Sequence, residues 1–532
     1  MRWLFRPSLL VLLSVGLVVG AAVLVLWPRS QEIRAAPLQE DESEIVWLYS
    51  ATNESAWERF VTAVSRAAEQ LRAAQPGVEV VSSGDDSFPR HTSSHPEVAV
   101  RVRSGSARLV FRWYKLASDQ KTDQWVAALL NGSRRPPLAI LGGSSSEQAK
   151  EIALSLQRRA GSPPRPTAPL LLLTTATADR VSVGDGAGDV PLNELHRDRT
   201  FRFCFTNQQM AAAVTAFVAT REELRPDTGP FYVAQWEDDA YSRDLTGRFC
   251  DAVRSQLDRP AAGTGGQFQI PVSEIIDYSV GGFDQPNRWE APAVERLMKA
   301  KVEAHPNQQR PLLVLAAPSS QPARRFLRGL ARIAPSEARR FVVVTGDALS
   351  FNTVYRDRNV VWPIQDLPFE LVFFCHRSPV DPAAGFLRED APNVGITAPA
   401  TGTEDLLLYV DIVEALVQAV NEGGAMPAGG ADLGERLRRA RWHDGRVSFG
   451  DEGPALFDAD GNRRGGSGEH VVWLRPDVQK DPQQRQPPRP AIRVLPHATL
   501  KVYELRGAPE EGGPWRELPE LSVDYDEAGT DR

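Results

Sequence analysis

Hydroxyl-bearing residues recur in this 532-residue chain at one kind of place, the turn between an apolar run and an amphipathic helix. The clearest case is residues 138–159, LAILGGSSSEQAKEIALSLQRR. Leu138, Ala139, Ile140 and Leu141 make the short unbroken apolar run of a strand buried on both faces. Gly142 and Gly143 permit a tight turn, and Ser144, Ser145 and Ser146 follow it. Glu147 stands three residues after Ser144, the spacing of a capping box. Ala149, Ile152, Ala153 and Leu156 then share one helix face. The first N–H groups of such a helix and the positive end of its dipole bind anions. The same serines also suit plain helix capping, so this unit alone leaves both readings open. Related turns hold Thr52 and Asn53 (residues 50–55, SATNES), Thr175 and Thr177 (174–177, TTAT), Ser319 (317–320, APSS) and Asp347 (345–347, TGD). In residues 237–241, EDDAY, Asp238 and Asp239 read as a solvated helix start and Tyr241 follows them.

Other chemistry finds little support. The chain has no G-x-S-x-G elbow, no G-x-x-x-x-G-K-[ST] loop and no H-E-x-x-H pair. His196, His376 and His443 stand alone and read as surface or core residues. Asp458-Ala459-Asp460 has the form of a metal-holding D-x-D, and Asp458, Asp460, Asn462 and Glu469 fall at calcium-loop spacings. The Gly-rich hairpin setting fits neither metal reading well, and no cofactor is expected. Cys204, Cys250 and Cys375 lack C-x-x-C spacing. One pair joins in an oxidising compartment, or the thiols stay buried and unpaired. A net charge of −7, spread over both signs, gives nucleic-acid binding no support.

The elements that must hold these turns alternate between strand and helix. Residues 44–49 (EIVWLY) predict the first strand, and Trp57, Phe60, Val61, Val64, Ala68 and Leu71 the stripe of the helix behind it. Residues 83–107 read as an insertion, and 107–116 as an exposed or edge strand. Further strands are expected at 169–173, 201–205, 231–236, 312–316 and 341–344, and a strong amphipathic helix at 406–420. Residues 447–449, 455–458 and 471–474 read as a small antiparallel set. This alternation implies α/β architecture with parallel sheets. Before it, residues 9–27 form an apolar stretch of bilayer-spanning length, preceded by Arg2 and Arg6 and flanked by Trp3 and Trp27. That pattern predicts an N-inside anchor; a cleaved signal peptide is the competing reading, weakened because 23–27 stay apolar beyond Gly20-Ala21-Ala22.

In order, these motifs resemble the leucine/isoleucine/valine-receptor branch of the type I periplasmic binding proteins, which serve ABC importers. The matching stretches are LAILGGSSSEQA, LLLLTTATADRV, TFRFCFTNQQMAAAVTAFVA, FYVAQWEDDAYSRDLTGRF and VSFGDEGPALFDADGN, within about residues 44–475. The departures are Ser242 in place of the usual Gly after Tyr, no early Cys pair, the 83–107 insertion and the tail beyond 475. The resemblance implies two Rossmann-like lobes joined by a hinge: lobe I at 44–205, returning at about 366–440, and lobe II at 206–365, returning at about 441–475. Residues 1–30 are then the transmembrane anchor, 31–43 a linker, and 476–532 a Pro-rich linker with an acidic tail. By the same resemblance, Ser144 and Ser145 grip a ligand carboxylate, Thr175 and Thr177 help hold it and an ammonium, and Tyr241 covers the ligand. Thr52, Asn53, Ser319 and Asp347 fall in neighbouring turns, Asp347 facing an ammonium. The implied protein is a non-catalytic solute-binding protein, single-pass in the cell membrane with its domain on the periplasmic or extracellular side. Its ligand is an amino acid or small carboxylate, and its partner an ABC permease or membrane sensor. An anchored glycosyltransferase and a ligand-free scaffold are the alternatives.

Overall fold

The computed structural model describes residues 33, 35–52, 54–83, 94–102, 107–117, 121–130, 134–160, 165–184, 188–227, 229–256, 272–278, 290–333, 337, 340–349, 370–377, 403–466, 468–476, 498–505, 515–517 and 521–523. The apolar stretch at 9–27 lies outside them, and among the described residues no helix is long and apolar enough to cross a membrane.

Strand β1 (Glu42–Ser50) is the centre of the first sheet. It pairs in parallel with β4 (Arg108–Leu116) on one side and with β5 (Ala139–Gly142) on the other. The sheet continues in parallel through β6 (Leu170–Leu173) to β9 (Thr200–Arg202). At the opposite side, β3 (Glu97–Arg101) and β2 (Glu79–Ser83) add antiparallel strands. A minor pair, β7 (Arg180–Val181) and β8 (Val190–Pro191), lies beside it. Side chains alternate across β1. Ile45 and Trp47 join the core under α1 (Glu54–Arg72) and α8 (Thr403–Glu422), while Val46 and Leu48 join the core under α2 (Thr122–Leu130) and α3 (Ser146–Ala160).

The second sheet repeats the plan. Strands β11 (Val272–Tyr278), β10 (Phe231–Trp236), β12 (Leu312–Ala316), β13 (Val342–Thr345) and β14 (Glu370–Cys375) are parallel neighbours in that order. Tyr232, Ala234 and Trp236 face the core of α6 (Glu290–Ala304) and α7 (Ser320–Ile333). Phe231 and Val233 face that of α4 (Asn207–Thr220) and α5 (Ala240–Gln256).

The chain crosses between the sheets three times, after β9, after β14 and before β17 (His470–Pro476). The first crossing ends in a capping box, in which Thr206 accepts from Gln209 N and the Gln209 side chain accepts from Thr206 N. All three crossings meet on buried charge. Arg463 Nη1 donates to Phe203 O at 3.1 Å and to Asp411 Oδ2 at 3.4 Å, and Arg377 Nε lies 3.5 Å from the same carboxylate oxygen. Both guanidinium groups stack on Trp442, at 4.5 and 4.8 Å from its ring.

Several expectations need correction. The 107–116 strand is interior, and residues 97–101 of the supposed insertion are its neighbour. Residues 35–41 of the expected linker lie on lobe I, where Ala36 N donates to Tyr114 Oη at 3.1 Å and Arg135 Nη2 to Gln39 O at 2.6 Å. Strand β14, placed by the sequence in the return to lobe I, belongs to the second sheet. The short strands β15 (Arg441–His443) and β16 (Arg446–Ser448), with Leu456 and Phe457, pack into the first lobe's core after α9 (Gly430–Leu437), whereas 471–474 lie in β17 beside β14. Beyond residue 476 the chain is no mere tail. Strands β18 (Ala498–Leu505), β19 (Trp515–Glu517) and β20 (Leu521–Val523) extend the second sheet. Tyr503 of β18 is buried against Phe217, 4.7 Å between ring centres, with the Arg221 guanidinium 4.6 Å from its ring. Replacing it by alanine should cost about 3 kcal/mol in urea unfolding, the scale for a truncated buried aromatic. A loss under about 0.5 kcal/mol would mean that this strand is not seated on α4.

Candidate functional site

A cleft of about 200 Å³ opens between the lobes, lined by Ser144, Ser145, Ser146, Thr175, Asp239, Tyr241, Pro318, Asp347, Ala348, His376 and Asp405. Ten of these follow the C-terminal ends of parallel strands, β5 and β6 in one sheet and β10, β12, β13 and β14 in the other. Asp405 instead comes from the first turn of α8. Crevices at strand C-termini are the usual ligand sites of open α/β sheets.

On the lobe I wall, Gly143 turns the chain with φ of 80°, and a Cβ there would meet Ala149 and Ala176 at 3.1 and 3.2 Å. The extended turn moves the helix start one residue beyond the expected capping box. Ser145 is the cap, its Oγ accepting from Gln148 N at 3.2 Å. Gln148 Oε1 reaches back to accept from Ser144 N at 2.8 Å and Ser144 Oγ at 2.7 Å, while Glu147 pairs with Lys150. Ser144 and Ser145 stay exposed to the cleft, and buried Ser146 accepts from Ala178 N through its hydroxyl. Thr175 hangs on the adjacent turn, donating to Gly143 O at 3.3 Å.

On the lobe II wall, Tyr241, Asp347 and His376 form one chain. Tyr241 Oη donates to Asp347 Oδ1 at 2.8 Å, and His376 Nε2 lies 3.0 Å from Asp347 Oδ2. Phe205 N donates to His376 Nδ1 at 3.1 Å, which makes Nε2 the protonated nitrogen that donates to Asp347. Gly346 is needed here because a Cβ would stand 2.8 Å from Tyr241 Oη. Burial raises the Asp347 carboxyl, but the His376 and Tyr241 interactions outweigh it and leave the group below the usual carboxylate range. Burial and the neighbouring Asp347 charge push the Tyr241 phenol well up, so it remains a donor. Asp239 caps α5, accepting from Ser242 N at 2.7 Å.

Five of the sequence-selected residues therefore converge on the cleft: Ser144, Ser145, Thr175, Tyr241 and Asp347. Thr177 does not. It is buried behind the turn, its carbonyl accepting from Asn207 N and Arg202 Nη1. Thr52 is exposed outside the lining and bonds Ser50 Oγ at 3.0 Å. Ser319 sits one residue beyond the lining Pro318 and accepts from Ala323 N through its carbonyl at the start of α7. Asn53 lies outside the described residues. His376, read as an isolated histidine, is a wall residue; its place directly after the apolar run ELVFFC was the available signal. His196 is buried with Nε2 3.0 Å from Pro169 O, and His443 sits beside Asp444 and Glu452.

The D-x-D and calcium-loop readings do not gather ligands. Asp458 Oδ1 accepts from the amides of Asp460 and Asn462, and buried Glu469 accepts from Gly466 N. Among the described residues no group of three or more His, Cys, Asp or Glu converges. Cys204, Cys250 and Cys375 are all buried free thiols.

No family model and no curated protein matches the chain. Solved structures do. A periplasmic binding protein from Burkholderia mallei aligns with 91% of this chain and 96% of its own at 12% identity and a TM-score of 0.50. The leucine-, isoleucine-, valine-, threonine- and alanine-binding protein from Brucella ovis, in a closed conformation, aligns with 92% of this chain and 96% of its own at 11% identity and a TM-score of 0.50. This is the type I periplasmic binding protein fold.

In this fold the two lobes meet beside the cleft through Asp244 of α5. Its carboxylate accepts from Asp179 N at 2.8 Å and Arg180 N at 3.2 Å on lobe I, and from Asn207 Nδ2 at 2.9 Å. Burial, then the Asp179 charge, raise its carboxyl from 3.8 to about 6. Because the folded value exceeds the unfolded one, the Asp244 contribution is fully present below pH 3.8 and is lost as pH rises through about 6. Asp244→Asn should therefore lower the baseline stability and flatten its pH dependence between pH 4 and 7 by about 2–3 kcal/mol. An unchanged pH profile would show that this carboxylate is not buried between the lobes.

Proposed function

We propose that the chain is a membrane-anchored, extracytoplasmic solute-binding protein that closes two lobes on a small amino-acid-like ligand for an ABC importer or a membrane sensor. The observation that carries this reading is the composition of the two cleft walls. A hydroxyl-rich helix start, suited to a carboxylate, faces a carboxylate wall suited to an ammonium. The volume of about 200 Å³ suits a molecule of that size, equal to roughly seven waters at ~30 Å³ each. The amino acids in the description of the Brucella ovis protein are of the same class. Among the described residues no cleft-lining Ser or Thr hydroxyl is hydrogen-bonded to a His, Asp or Glu side chain, which favours a binding role without catalysis.

Ligand binding is tested by thermal unfolding with a panel of amino acids, amides and small carboxylates. A true ligand at 100 times its Kd should stabilise the chain by about 2.7 kcal/mol. Ser144→Ala with Thr175→Val should weaken it about tenfold, or ~1.4 kcal/mol. Failure of every compound to stabilise the chain would contradict the solute-binding role.

Anchoring by residues 9–27 is tested separately. The full chain should stay with alkaline-washed membranes at its uncleaved mass, and a version lacking residues 1–30 should be released. A mature protein that begins near residue 22 would establish a cleaved signal peptide instead.

A further inference from the structure

We propose that the cleft selects a small zwitterion with an additional cationic group, the chemical class of the basic amino acids, over aliphatic and aromatic acids. This rests on the solute-binding reading and narrows it. The described lining contains three carboxylates, Asp239, Asp347 and Asp405, and neither Lys nor Arg. Among the described residues only Asp405 has an arginine in ion-pair range, Arg59 at 3.8 Å, with both side chains more than a third exposed. Asp347 receives two hydrogen bonds, from the Tyr241 phenol and from the His376 imidazole, whose other nitrogen accepts from Phe205 N. Those bonds fix the carboxylate in place. Asp239 holds a backbone amide at the start of α5, a neutral partner. Among the described residues, two carboxylates therefore face the cleft with neither Lys nor Arg beside them, and His376 is the basic side chain in contact with Asp347.

The opposite wall offers one anion-binding element, the start of α3 at Ser144–Ser146. One anionic site against two such carboxylates matches a ligand with one carboxylate and two cationic groups. Pro318, Ala348 and the Tyr241 ring are the apolar parts of the described lining, and the Tyr241 hydroxyl is committed to Asp347. A branched aliphatic or benzene ring packed against that carbon surface would desolvate both carboxylates without replacing their water. A second cation compensates that charge directly.

The test is calorimetric titration of the full chain with near-isosteric pairs that differ in side-chain charge: arginine against citrulline, and lysine against norleucine. Leucine and benzoate are included. The basic member of each pair should bind at least tenfold more tightly, and the ratio should shrink as salt rises. Asp239→Asn and Asp347→Asn should each reduce that ratio severalfold; asparagine still caps a helix, so Asp239→Asn keeps α5 intact if Asp347→Asn fails to fold. Binding of leucine, benzoate, citrulline or norleucine as tight as that of the basic compounds would overturn the charge selectivity and leave the solute-binding role standing. Absence of heat and of thermal stabilisation with every compound would overturn both.

Discussion

The architecture depends on a buried ion pair where the chain passes between its lobes. Asp411 on α8 takes Arg463 from the last crossing and Arg377 from the start of the second, while Arg463 also holds Phe203 O in the first. Arg463 is fully buried, and burial lowers its guanidinium to about 10, still charged at neutral pH. Removing one partner of such a pair costs about 3–5 kcal/mol because the other charge is left uncompensated. Three chain segments distant in sequence are thereby held at one point, and each lobe can form its own sheet around that point. Motion in this fold class proceeds by hinge closure, which concentrates backbone change in a few crossing residues.

The site follows from that arrangement. The parallel strands of both sheets set their C-termini toward a common crevice, so the turns that follow them supply most of its polar groups. Hydroxyls, helix amides and Asp405 come from lobe I, and Asp239, Asp347, Tyr241 and His376 come from lobe II. His376 links hinge and site, since its ring accepts from Phe205 N in the first crossing and donates to Asp347 in the cleft wall.

The alternation of strand, polar turn and helix was readable from sequence because the central strands of both sheets pair in parallel, and buried parallel strands are unbroken apolar runs. Strand β4 escaped that rule. Its alternation read as an exposed or edge strand, yet Arg112 lies 3.2 Å from Glu44 and 2.6 Å from Glu97, and Tyr114 donates to Glu44 at 2.9 Å. Polar residues buried with partners imitate an exposed face in one dimension. Residues 494–532 were expected to hold one short strand pair at most, and the place of β18 beside β17 escaped because that pairing is a long-range event with no local signature. In the site, the turns were legible as turns, but spacing did not tell a lining side chain from one behind it. Thr175 and Thr177 are two residues apart, and only Thr175 reaches the cleft.

The central claim is that the two walls close on a ligand, and an interlobe distance tests it most directly. Spin labels at Glu147→Cys and Ser319→Cys, both exposed at the cleft mouth, report that distance, and the native cysteines are buried. On saturation with a ligand that stabilises the chain, the distance distribution should narrow and shift to shorter values. A distribution unchanged by such a ligand would contradict closure across this cleft.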